Sequence, residues 1–233
     1  MSRVAVIIVN YNSGERLART LAHLQRQTFR DFDVIVFDNA STDGSITAAA
    51  ESLQPVKAIL NDSNIGFAAA NNRAAAETDA EWLAFLNPDA YPEPDWLAEL
   101  MRATERHAGV DAFGSLQINA TDPAVLDGAG DAYQIFGLPY RGHFGWSIEK
   151  APGEGECFAP CAAASLVRRR AFEELGGFDE SFFCYGEDVD LGFRLRLAGG
   201  AAIQVASAKV HHEGSGVTGR RSAFSVYHGH RNR

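Results

Sequence analysis

Apolar residues come in short runs along the first half of the chain, and polar clusters punctuate them at regular intervals. Residues 4–9 form an unbroken apolar run closed by Asn10, Tyr11 and Asn12, which predicts a buried strand. Residues 15–26 place leucines at 17, 21 and 24, the spacing of one helix face. The alternation continues: strands are expected at 33–37, 56–60 and 82–86, and helices at 45–53, 67–77 and 94–107. Asp43 or Ser45 can cap the second helix, and Pro94 suits the start of the last. Strands that alternate with helices build a mostly parallel central sheet flanked by helices, the α/β class.

Beyond about residue 110 the rhythm breaks. Residues 119–160 are rich in Gly, Asp, Pro and aromatic residues and read as loops and short strands that shape a pocket. Residues 187–198 read as a helix closed by Gly199-Gly200, although Val189, Leu191, Phe193, Leu195 and Leu197 also alternate with period two. A strand is expected at 202–206, then a loop and tail over 207–233 that stops without a capping element, as a shortened chain would.

Composition narrows the function. The chain has 233 residues, 46% of them apolar, enough for one domain with a substantial core. Its net charge of −9 excludes a general nucleic-acid binder, which needs clustered Lys and Arg. The charge is uneven: from Lys209 onward the chain carries +4, and four of the seven histidines lie there. A basic end on an acidic body fits a local anion such as a diphosphate. Three cysteines, Cys157, Cys161 and Cys184, give no disulfide framework and fit a reducing, cytoplasmic setting. The apolar run at 4–9 ends too early for a signal peptide, and no run reaches the ~18 apolar residues of a membrane span.

In open parallel sheets, ligands bind beyond the carboxyl ends of the strands. Three strand ends are polar: Asn10-Tyr11-Asn12, Asp38-Asn39-Ala40-Ser41-Thr42-Asp43 and Asn87-Pro88-Asp89. Each alone reads equally as a turn; three on one sheet edge point to a ligand. The first end lacks the Gly-x-Gly-x-x-Gly of a dinucleotide site, and no Walker loop is present. Acidic residues serve a diphosphate only through a bridging cation, and oxygen ligands suit Mg2+ or Mn2+.

Four segments, taken in order, resemble the successive motifs of the family-2 glycosyltransferases, most closely the rhamnosyltransferase-like branch. They are Val6-Ile7-Ile8-Val9-Asn10-Tyr11-Asn12, Asp38 through Ser45, Asn64-Ile65-Gly66-Phe67 with Asn71, and Asn87-Pro88-Asp89-Ala90. The resemblance implies the GT-A nucleotide-sugar-binding fold. Residues 1–110 would be the nucleotide-sugar-binding half, and 111–233 the acceptor-binding and catalytic half of the same domain, with a smaller acceptor-side region beside the central sheet. It implies donor contacts at Val9, Asn10 and Tyr11, a hydrogen bond from Asp38 to the base, and Asn64 and Gly66 near ribose and base, with Asn71 and Asn87 on the same donor. Asn87-Pro88-Asp89 stands where the family has an Asp-x-Asp metal motif. Asn87 keeps an acceptor oxygen but loses a charge, which leaves Asp89 as the direct ligand of Mg2+ or Mn2+.

The second half matches the family in Gly186-Glu187-Asp188, which implies Asp188 as general base and Glu187 as the residue that positions the acceptor or tunes Asp188. Two carboxylates at a helix start also simply favour the N-terminal dipole. In Val210-His211-His212-Glu213-Gly214-Ser215, the resemblance places a metal-binding His just before the Gly-Ser turn and so selects His212 over His211. Arg220 and Arg221, and the Arg231-Asn232 pair, would reach the diphosphate or a lipid-linked acceptor, or else form a solvated tail. Asp127, Trp146, Cys157 and Cys161 lie on the expected acceptor side; Trp146 reads as a sugar-stacking or a core residue, the cysteines as buried thiols.

The implied reaction is a single inverting displacement from a dTDP- or UDP-linked sugar, rhamnose in this branch. The acceptor would be a glycan or polyprenyl-linked hydroxyl in cell-surface polysaccharide synthesis. A cytoplasmic protein with peripheral contact at the inner face of the cell membrane fits. Two other readings stand beside it: a nucleotidyltransferase, which should carry a Gly-rich basic loop after the first strand, and a non-catalytic nucleotide-sugar or glycan-binding module, for which Asn87 speaks.

Overall fold

The computed structural model describes residues 2–52, 56–214, 219 and 222–232. The first half runs β1 (Val4–Asn10), α1 (Glu15–Gln25), β2 (Phe32–Asp38), α2 (Ser45–Ser52), β3 (Val56–Leu60), α3 (Phe67–Ala75), β4 (Trp82–Leu86), β5 (Ala90–Pro92) and α4 (Trp96–Arg106). The second half runs β6 (Ala112–Asn119), β7 (Leu126–Ala129), β8 (Asp131–Tyr133), β9 (Pro139–Arg141), β10 (Gly155–Cys157), β11 (Ala164–Arg168), α5 (Arg169–Glu174), α6 (Glu187–Leu197), β12 (Ala202–His212) and α7 (Ala223–Arg231).

All seven residues of β1 are buried. Successive strand side chains point to opposite faces, and β1 therefore feeds two cores. Val4, Val6 and Ile8 pack with leucines 17, 21 and 24 of α1 and with Trp96, Leu97 and Leu100 of α4. Ala5, Ile7 and Val9 pack with the alanines of α3 and with Phe172, Leu191 and Leu195. A strand covered on both faces reads as a continuous apolar run, which is why β1 carries no polar alternation.

The main sheet has the order β10-β12-β6-β11-β4-β1-β2-β3, with β5 and β7 added at the side. Strands β1 to β4 are mutually parallel, β6 and β12 are parallel, and β11 runs antiparallel between β4 and β6. The chain leaves β1 towards β2 and β3, then returns to the other side of β1 as β4. That reversal opens a crevice at the carboxyl ends of β1 and β4, the position where such sheets hold ligands.

Two expectations for the second half are overturned. The last strand does not stop at 206: β12 continues to His212, with a register irregularity between Val205 and Lys209, and pairs with both β6 and β5. The irregularity breaks period-two alternation, which hid the strand's second half from pattern reading. The expected tail contains α7, whose Ser222 side chain accepts a hydrogen bond from the Ser225 amide. This short helix has no buried face of its own and depends on tertiary contacts. The period-two ambiguity at 187–198 resolves as helix: Leu191 and Leu195 are buried one turn apart, while Phe193 and Leu197 are exposed.

Candidate active site

A cleft of about 380 Å³ opens at the crevice between β1 and β4, a size suited to a small ligand. Val9, Tyr11, Asn64, Gly66, Asn87, Asp89 and His212 line it together with Glu187 and Asp188. Residues more than 170 positions apart in sequence thus share one cavity.

The first two strand ends form a connected polar scaffold. Asn10 is fully buried, and its amide donates to Asp38 Oδ1 (2.7 Å), Ser45 Oγ (2.9 Å) and Ser41 Oγ (3.1 Å). Asp38 also accepts from the Ser41 amide at 3.0 Å. Both side chains tie the loops after β1 and β2 together and lie behind the lining. Asn71 is buried within α3 and donates to the Phe67 carbonyl at 2.9 Å, away from the cleft. Asn39, by contrast, lines the cleft: its amide donates to Asn64 Oδ1 (2.8 Å) and the Gly66 carbonyl (3.1 Å), while Ile65 donates to it (2.9 Å). Gly66 has φ 88°, and a Cβ there would sit 2.6 Å from both the ring and the carbonyl of Phe183. Only glycine lets the two segments approach so closely.

The third strand end meets β12. Alternation along β12 turns His212 into the cleft, whereas His211 faces Glu93 at 3.1 Å. His212 Nε2 lies 3.3 Å from Asp89 Oδ1, and His212 Nδ1 lies 2.7 Å from Asp127 Oδ2. Asn87 Nδ2 is 3.5 Å from the same Nε2. Asp127 is anchored in turn by Arg141 Nη1 at 2.5 Å. Gly128 leaves room for that arginine, since a Cβ would meet its side chain at 2.6 Å. Glu213, next in the chain, is engaged by Arg16 and by the Tyr91 hydroxyl, both at 2.6 Å. Burial pulls the His212 imidazole down, but hydrogen bonds to Asp127 and Asp89 outweigh it and raise its pKa to about 9.

This arrangement fits a hard divalent cation. Asp89 presents a carboxylate oxygen and His212 a ring nitrogen whose proton a bound cation would displace, both on buried residues. Asp127 supplies the outer carboxylate that metal-binding histidines characteristically engage through their second nitrogen. A second convergence exists: potential ligand atoms of Asp131, Cys161 and Asp188 lie within 4.8 Å of one another. Burial raises the Cys161 thiol, and Arg141 already contacts its sulfur at 3.4 Å. A protonated thiol beside a guanidinium is a poor ligand for Mg2+ or Mn2+, so the metal reading rests on Asp89 and His212.

The opposite wall is acidic. Asp188 Oδ2 accepts from the Ala162 amide at 3.0 Å. Glu187 is buried, and its Oε2 finds no hydrogen-bond partner among the described residues. Burial, with the nearby Asp188 charge, raises Glu187 to about 8; the same two causes raise Asp131 to about 8, against the opposing charge of Arg141. The turn before α6 places Phe183, Tyr185 and Gly186 at positive φ, a strained conformation of the kind found at functional sites. The Phe183 carbonyl accepts from the Phe67 amide at 2.6 Å and so joins this wall to the start of α3. From the far side, the Asn232 amide donates to the carbonyls of Phe182, Cys184 and Tyr185 at 2.7–2.9 Å. Asn232 thus braces the turn, and Arg231 donates to the Ser181 carbonyl. Arg220 and Arg221 lie outside the described residues.

Glu187 gives a pH prediction. The unfolded chain ionises Glu187 near its ordinary value of 4.5, while the folded chain holds the proton up to about 8. Its contribution to stability is therefore complete below pH 4.5 and lost as pH rises through 8. Glu187→Gln removes this loss. Its melting temperature relative to wild type should rise by roughly 5 °C or more between pH 4.5 and 8.5. Calorimetry at the two pH values reads the difference; a gap that does not change with pH overturns the assignment.

Sequence reading missed the bracing of His212 by Asp127 and Arg141. Its one signal was an aspartate inside the short apolar run Val125 to Ala129, within an aperiodic stretch.

Residues 5–176 match the family described as Glycosyl transferase family 2. An N-acetylglucosaminyl-diphospho-decaprenol L-rhamnosyltransferase of Mycobacterium tuberculosis is 34% identical over 94% of this chain and 78% of its own length. The O-antigen biosynthesis protein RfbC of Myxococcus xanthus is 31% identical over 89% of this chain and 17% of its own length. Among solved structures, GalNAc-T7 with UDP, GalNAc and Mn2+ superposes with a TM-score of 0.73 at 19% identity over 91% of this chain. The mannosyltransferase PcManGT from Pyrobaculum calidifontis, in complex with GDP-Man and Mn2+, superposes at 0.69 with 20% identity over 97%. The chain spans 44% and 59% of those two solved chains. These likenesses show the GT-A type of α/β fold. By sequence match along most of its length and by fold, the chain belongs to glycosyltransferase family 2.

Proposed function

We propose that this protein is a metal-dependent inverting glycosyltransferase. It moves rhamnose from a dTDP- or UDP-linked donor to a hydroxyl of lipid-diphosphate-linked N-acetylglucosamine in cell-wall polysaccharide synthesis. The observation that carries the reading is the convergence of Asp188 with the Asp89–His212 pair in one cleft at the β1/β4 switch point. The Mycobacterium tuberculosis relative, named for a rhamnosyl transfer of this kind, supports the sugar and the acceptor class.

The chemistry follows from the walls. On the donor side, Val9, Tyr11, Asn39, Asn64 and Gly66 hold base and ribose. Asn10 and Asp38 act from behind by fixing the two loops. Asp188 takes the proton of the acceptor hydroxyl as its oxygen bonds to the anomeric carbon. The bond from that carbon to the diphosphate oxygen breaks on the opposite face, and its electrons leave with the nucleoside diphosphate. One displacement inverts configuration, and no covalent enzyme intermediate is needed. Asp89 and His212 would hold a Mg2+ or Mn2+ ion, which supplies neutralising charge for the departing diphosphate. Burial and the neighbouring Asp188 charge favour the protonated form of Glu187, which lessens the negative charge beside Asp188.

A thermal-shift screen of nucleotide sugars with Mn2+ or with EDTA tests the reading. A donor at 100 times its Kd stabilises by about 2.7 kcal/mol. A dTDP- or UDP-sugar should raise the melting temperature only when the cation is present. A response to no nucleotide sugar, or an equal response in EDTA, would sink the proposal.

A further inference from the structure

We propose that the β8–β9 hairpin and the turn after it form a bilayer-docking edge that seats the protein on anionic phospholipid beside its cleft. Ile135 and Phe136, at the hairpin tip, are 94% and 85% exposed. Leu138, Phe144 and Trp146 follow, each about half exposed. Isolated exposed apolar residues are ordinary, but a concentration in one short stretch marks an interaction surface.

Three observations choose the bilayer as occupant. The first is charge: residues 132–148 contain no Asp or Glu, in a chain with 30 of them, and the one arginine of the stretch, Arg141, is already neutralised by Asp127. The exposed apolar side chains of this stretch therefore bring no carboxylate of their own against an anionic surface, and the acidic residues of the neighbouring groove, Asp131 and Glu156, lie outside it in sequence. The second is composition. Aromatic side chains beside short aliphatic ones suit the membrane–water boundary, where such groups bury roughly 5–10 Å deep. The third is continuity. Tyr140 and Arg141 line both the catalytic cleft and a second groove of about 530 Å³ bounded by Phe144, Trp146 and Phe158. The hairpin is also held in place: Gly137 donates to the Gln134 carbonyl at 2.8 Å, and Gly142 and Leu126 donate to the Gly130 and Trp146 carbonyls at 2.8 Å. Among the described residues no helix is long and apolar enough to cross a membrane, so docking at the surface is the mode this edge offers. The proposal rests on the lipid-linked acceptor reading for its reason to place a bilayer near the cleft.

The protein carries its own reporter. Of three tryptophans, Trp82 and Trp96 are fully buried and Trp146 is 52% exposed. The full chain would be mixed with phosphatidylglycerol–phosphatidylcholine vesicles that contain no acceptor lipid, followed by sedimentation and tryptophan emission. Wild type should co-sediment, with a blue shift that Trp146→Phe removes. Ile135→Asp combined with Phe136→Asp should lower vesicle partition by about 10-fold or more, with an unchanged melting temperature and unchanged turnover of a short-chain soluble acceptor. Equal partition of wild type and the double variant overturns the proposal. So does wild type that stays in the supernatant, including the case where the double variant instead dissociates a dimer in gel filtration. Because the vesicles need neither donor nor acceptor, binding without any transferase activity would reject the proposed reaction and leave the docking edge standing.

Discussion

Asp188→Asn is expected to reduce sugar transfer by ~10³-fold or more while leaving donor affinity within a few-fold of wild type. The substitution preserves size, and the asparagine oxygen can still accept the Ala162 amide that Asp188 Oδ2 accepts at 3.0 Å. The turn before α6 and the cleft wall therefore stay in place. What disappears is the ability to receive a proton. Alanine would confound this test by also removing the hydrogen bond to Ala162. Single-turnover rates and donor titration by calorimetry separate the two effects. Transfer at a near-normal rate moves the base elsewhere, with Asp131 next to be examined because it shares the same acidic wall. Loss of donor binding as well would make Asp188 a donor-side residue.

The second large effect is expected from Asp89→Ala. It removes the buried carboxylate 3.3 Å from His212 Nε2 and with it one of two ligands for the divalent ion. Donor binding should lose its dependence on Mn2+, and transfer should fall by ~10³-fold or more. His212→Ala should behave alike, and the two together should cost little more than either alone, because they act as one unit. Asp127→Asn tests the bracing separately. It leaves both ligands but weakens the carboxylate that orients His212, so metal affinity should fall by ~10–100-fold while saturating Mn2+ recovers most of the rate. Mn2+-stimulated transfer that survives Asp89→Ala would shift the metal towards the Asp131–Cys161–Asp188 convergence.

The first half of the fold was readable because each element there has a strong local pattern. β3 and β4 fall at the residues where their apolar runs begin and end, and α1 follows its leucine spacing. The regions that resisted share the opposite property. β12 is interrupted by an irregular register, α7 is amphipathic only in relation to Phe183 and its neighbours, and β7 to β10 are three or four residues long. Their stability comes from distant partners, which no local window contains.

The site divides the same way. The sequence by itself determined the α/β class, the three polar strand ends and the family, because parallel-sheet geometry places such ends on one edge. It also singled out Asp89, Asp188 and His212, through matching motifs. Only the tertiary structure decided how those residues work together. It set Asp127 and Arg141 behind His212, turned His211 away, kept Asn10, Asp38 and Asn71 behind the lining, and left Glu187 without a hydrogen-bond partner for its Oε2. Motifs record which residue types are present. Proton affinity and orientation depend on burial and on partners up to 197 positions away, as with Arg16 and Glu213, and those are properties of the folded chain.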